Sequence, residues 1–107
     1  MGATPISTQN FRPGGNSTTL DVTAAAVIKA SPGVIFRVIV VIVGTGGSLT
    51  INDLATTSGG AAANQIITIP FGSLTIGQVI TLEAATVTGI AVTAVPTGGS
   101  QFTITWS

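Results

Sequence analysis

Apolar and polar residues alternate over short stretches of this chain, and clusters of Gly, Ser, Thr, Asn and Pro separate those stretches. A period near two, rather than 3.6, predicts β-strands with one buried and one solvated face. TTLDVTAAAVIKA (18–30) reads as one strand or two, and SPG (31–33) as the turn after it. SLTINDL (48–54) alternates with Leu49 and Ile51 on one side. NQIITIPF (64–71) is a strand that Pro70 stops or confines to a sheet edge, because proline cannot donate to a ladder. VITLEAATV (79–87) and IAVTAV (90–95) follow, and QFTITWS (101–107) puts Phe102, Ile104 and Trp106 on one face. No segment carries a helical apolar stripe, and LATTSGGAAANQ, the nearest to one, holds two glycines. About seven to eight antiparallel strands at this spacing predict an all-β domain, a single β-sandwich or small jelly roll. An immunoglobulin-like strand order and a jelly-roll order both remain open.

VIFRVIVVIV (34–43) departs from the alternation: nine of its ten residues are apolar and the tenth is Arg37. A strict pleat would send Val34, Phe36, Val38, Val40 and Ile42 one way. Ile35, Ile39, Val41 and Val43 would point the other way beside Arg37. One face fills the core, and the other needs cover from a neighbouring subunit or from the chain's own first residues. GTGG (44–47), next along, reads as a hairpin-type turn. Residues 1–17 hold Pro5, Pro13, Gly14 and Gly15 and no periodic pattern, so the chain divides into an extended N-terminal arm (1–17) and a sandwich domain (18–107).

Charge sharpens the picture. Of the 107 residues only 6% are charged, against about 25% in an ordinary soluble domain, and the net charge is zero. Three cations (Arg12, Lys29, Arg37) face three anions (Asp21, Asp53, Glu83). That composition provides no basic patch for a nucleic acid and no basic helix for a membrane surface, so neither is expected as a partner. A free monomer with so few charges is poorly guarded against association, which points to a subunit of an assembly. Its sheet edges, short of charges, are expected to be sealed by pairing with neighbours. The stretch MGATPISTQNFRPGG lacks the apolar run of a signal peptide, which favours assembly in a cytosol.

Candidate chemistry is sparse. With no His and no Cys, nucleophile–histidine catalysis and thiolate metal sites are excluded. Asp53 and Glu83 form the one carboxylate pair within the predicted sheets. Asp53, at a strand end, is expected to bond local backbone N–H groups, and Glu83 to stand on an exposed strand position. GTGGS (44–48) lacks the Gly-Lys-Ser/Thr of a phosphate loop. Catalytic residues, metal ligands and cofactors are therefore expected to be none. Lys29 and Arg37, lone charges in apolar strands, either pair with Asp21, Asp53 or Glu83 or form ion pairs across a subunit interface. With Phe11 and Arg12 of the arm and Ile39 and Val41 of the long strand, they make up the expected interface.

From Thr23 onward the chain resembles small structural proteins of tailed-phage virions, of the capsid decoration or cement type. The resemblance is carried by VIKASPGVIFRVIVVIVG (27–44), LTIND (49–53), NQIITIP (64–70), TGIAV (88–92) and FTITWS (102–107). It implies a non-enzymatic protein on the capsid exterior, assembled in the bacterial host cytoplasm. Its partners would be the major capsid protein and further copies of itself, a trimer being favoured. Another virion component (head fibre base, neck or tail protein) and a module for carbohydrate or a host surface are the alternative readings.

Overall fold

A computed structural model of the chain describes residues 16–107. Eight strands follow one another: β1 Ser17–Val22, β2 Ala26–Lys29, β3 Val34–Ile42, β4 Ser48–Asn52, β5 Gln65–Pro70, β6 Val79–Ala85, β7 Ile90–Ala94 and β8 Gln101–Trp106. The helical content of the described residues is two single 3₁₀ turns, Ala62–Asn64 and Phe71–Ser73. Residues 18–30 form two strands, and the first begins at Ser17. The expected arm therefore lies outside the described residues up to residue 15.

The strands form two four-stranded sheets, β1-β8-β3-β6 and β2-β7-β4-β5. Every pairing is antiparallel, and four of them nest: β1 with β8, β2 with β7, β3 with β6, β4 with β5. That is one long hairpin rolled around a core, the jelly-roll order, and it replaces the immunoglobulin-like alternative. It also corrects the hairpin expectation for GTGG. β3 and β4 lie in different sheets, so residues 44–47 cross between sheets. Gly44 and Gly47 do adopt positive φ, 88° and 75°. The crossing is held by the turn before β8, with Thr45 N–H donating to the Thr97 carbonyl and Thr97 N–H to that of Gly46, both at 2.8 Å.

The core lies between the sheets. The first sheet contributes Ile35, Val38, Val40, Phe102 and Ile104, and the second Leu49, Ile51, Ile90 and Val92. The faces expected for β4 and β8 hold. The face expected for β3 holds only in its middle, at Val38 and Val40; towards the ends Ile35 is fully buried, whereas Phe36 is half-buried and Ile42 exposed. Two β-bulges are the reason. Ile35 pairs with Trp106 and Arg37 with Thr105, so two steps on β3 match one on β8. The extra residue reverses the inward side, and Val38 and Val40 continue the core. A second irregularity between Val40 and Ile42 turns Ile42 outward again. The first bulge interrupts the ladder, and the hydroxyl of Thr105 accepts the Arg37 N–H at 3.1 Å.

Beyond β4 two neighbouring side chains hold the loops. Asn52 is buried, and its amide is fully used: Nδ2 donates to Asn64 Oδ1 at 2.6 Å and to the Ala61 carbonyl at 3.4 Å, while Oδ1 accepts from Thr93 Oγ1 at 2.6 Å. Asp53 accepts from the N–H groups of Val87 (2.9 Å), Thr88 (2.8 Å) and Gly89 (3.1 Å). These donors are more than thirty residues away in sequence, not local as expected. Asp53 thus ties the end of β4 to the crossing between β6 and β7.

Candidate functional site

Three of the residues expected at an interface, Arg37, Ile39 and Val41, stand on β3 in the first sheet. Register sets them in rows. Arg37 on β3 lies opposite Thr81 on β6 and Thr105 on β8, and Thr105 lies opposite Thr18 on β1. The next row holds Val79, Ile39 and Thr103. Leu20 extends it on β1, between the inward pairs Thr19↔Ile104 and Val22↔Phe102. The result is a cation ringed by threonines beside an apolar row.

That row is open to solvent. Leu20 is 70% exposed and Val79 53%; Val41, within the second bulge, and Ile42, just past it, are also exposed, and Ile39 is half-buried. Ile76 extends the apolar surface from the loop before β6, where Gly77 N–H donates to the Val40 carbonyl at 2.8 Å. Covering each of these side chains would contribute about 1 kcal/mol or more, at about 25 cal/mol per Å² of apolar area removed from water. A cluster of exposed aliphatics on one sheet face is the kind of surface that marks an interaction site.

The charges do not pair as expected. Among the described residues Arg37 meets no carboxylate, and neither does Lys29. Lys29 Nζ lies 5.8 Å from the centroid of the Trp106 ring. It sits on β2, in the other sheet, so it does not join Arg37. Of the expected interface residues, β3 brings together Arg37, Ile39 and Val41; Phe11 and Arg12 lie outside the described residues. Leu20, Val79, Ile42 and Ile76 were not anticipated. The alternation of VITLEAA, which puts Val79, Thr81 and Glu83 on one side, carried the signal for Val79.

The edges of this sheet are guarded from within. β1 and β6 are its outer strands, and each bears a non-glycine residue at positive φ: Asp21 at 58° and Glu83 at 49°. Both mark register breaks, between Thr19 and Val22 and opposite the Ile35–Arg37 step. A bulge with a charge disrupts the row of free N–H and C=O groups that a foreign strand would need. Two of the chain's six charges thus stand on the edge strands of this sheet.

Asp53 follows a strand of the second sheet, and Glu83 sits on an edge strand of the first. Partial burial raises the pKa of Asp53, but the N–H donors of Val87, Thr88 and Gly89 outweigh it and hold the carboxyl below its ordinary value. No three His, Cys, Asp or Glu residues among those described gather to hold a metal ion. No family model, curated protein or solved structure matches the chain.

Proposed function

We propose that the chain is a non-enzymatic structural protein of a tailed-phage virion, a decoration protein that sits on the outside of the capsid. In this reading the outward face of the first sheet is the docking surface. The row Leu20, Ile39 and Val79 lies against an apolar strip of the major capsid protein or of a sister copy, and Arg37 meets a carboxylate there. The observation that carries the reading is this exposed apolar row on a sheet whose two edges are guarded. The resemblance of residues 23–107 to such virion proteins supports the same conclusion. Low charge suits it too, since apolar and backbone contacts depend little on salt and many weak contacts add up across a lattice.

The test is co-sedimentation of the purified protein with phage capsids lacking decoration, alongside its mass by light scattering over a hundredfold dilution. Saturable binding that survives high salt and a stable trimer would support the reading. A monodisperse monomer that ignores capsids would reject both the partner and the assembly.

A further inference from the structure

On the opposite side of the molecule a cleft of about 370 Å³ opens between the second sheet and the loop joining β4 to β5. Thr50, Thr93 and Ala94 line it from the sheet, Thr57, Gly60 and Ala61 from the loop, and Gln65 stands where β5 begins. The volume lies within the range of small-molecule sites, about 300–1,000 Å³.

Its walls are fixed by the buried Asn52. That amide joins Thr93 on one wall to Ala61 and Asn64 on the other. Asn64 locks the loop further: Oδ1 accepts from Ala61 N–H at 3.0 Å and Nδ2 donates to the Gly59 carbonyl at 3.1 Å. A site held this way does not have to be ordered when a ligand arrives.

The lining selects a ligand class. None of its side chains is charged, so an ion would lose hydration without a counter-charge. No aromatic ring is present, so a planar ligand would find no stacking platform. The polar side chains that line the cleft are Thr50, Thr57, Thr93 and Gln65: Thr93 Oγ1 already donates to Asn52 Oδ1 and Thr50 Oγ1 shares a hydrogen bond with Thr68 Oγ1, while the Gln65 carboxamide makes no hydrogen bond with any described residue. Thr93 can still accept, and Thr57 and Gln65 can both donate and accept, so the set matches the hydroxyls of a sugar, each of which does both. We propose that the cleft binds a neutral saccharide, one sugar residue deep. The proposal rests on this cleft alone and stands or falls separately from the virion reading.

The experiment is a titration of the full ¹⁵N-labelled chain with glucose, galactose, mannose and N-acetylglucosamine, read by amide chemical shifts. At least one sugar is expected to give saturable shifts confined to residues around the cleft, at concentrations up to tens of millimolar. Gln65→Ala removes a group that the fold does not use and should weaken binding roughly three- to tenfold, the worth of one hydrogen bond. Ala94→Phe, at an exposed position, should block the cleft and abolish the shifts while the remaining spectrum stays native. Saturable shifts that persist in Ala94→Phe would place the sugar elsewhere and overturn the proposal, as would no saturable shift from any of the four sugars. Inorganic phosphate that competes with the sugar would overturn the assignment to a neutral ligand.

Discussion

Asp53 offers a quantitative test of how the loops are held. Asp53→Ala removes the acceptor for three backbone N–H groups. Val87 and Thr88 are exposed, so their donors turn to water and the loss there is about 0.5–1 kcal/mol each. Gly89 is buried, and its N–H, left without a partner, costs about 1–3 kcal/mol. The sum is about 2–5 kcal/mol, and the middle of that range lowers Tm by at least about 10 °C in a domain of this size. Asp53→Asn keeps one oxygen acceptor but turns an NH₂ toward one of the donors, and should fall between.

The pH dependence fixes the sign. The folded carboxyl has a lowered pKa. Its contribution is therefore complete above the unfolded value, about 3.9, and is lost as pH falls through the folded value. The gap between wild type and Asp53→Asn should be full at pH 7 and narrow below about pH 4. Asp21 and Glu83 are present in both proteins and cancel in the comparison. Urea unfolding followed by the fluorescence of Trp106, the one tryptophan, supplies the midpoints. Equal stability at pH 7, or a gap as large at pH 3 as at pH 7, would refute the clamp.

Three further outcomes follow from the geometry. A Cβ on Gly89 would lie 2.6 Å from the carbonyl oxygens of Leu54 and Lys29, so Gly89→Ala should cost more than about 2 kcal/mol in the same denaturation assay. Glu83→Gly relieves a left-handed backbone that costs an L-residue about 1–2 kcal/mol, and should be neutral or stabilising in a thermal melt. The control for that substitution, Thr81→Gly on the same strand, should instead lose about 1 kcal/mol. Leu20→Ser with Val79→Ser should change stability by less than about 1 kcal/mol, both residues being mostly exposed, yet weaken capsid co-sedimentation at least tenfold.

The sequence is most legible where polar residues punctuate it. Leu49 and Ile51 on β4, and Phe102 and Ile104 on β8, alternate with Thr, and their burial follows from the pattern. Pro70 marks an edge strand, and β5 is one. In β3 the pattern is degenerate. Phe36 and Val41 sit at or beside the bulges within a nearly continuous apolar run, so an added residue reverses the faces without leaving a mark in the composition. The same blindness affected the candidate site: Arg37, Ile39 and Val41 were found because one strand carries them, while Leu20 joins them through long-range register. Asp53 was recognised as a backbone acceptor. Its donors lie across a sheet crossing that local turn chemistry does not encode.

The nesting of the strands also sets an order of events in the chain's making. β8 sits between β1 and β3, so the first sheet has no centre until residues 101–106 have left the ribosome. The bond from Trp106 Nε1 to Thr19 Oγ1 closes a span of 87 residues, a loop whose entropy must be overcome before its contacts reward it. During that interval the apolar run of β3 waits without its central partner. Slow folding is the expected kinetic signature, and a chain cut short before β8 would present that run to chaperones or to other unfinished copies.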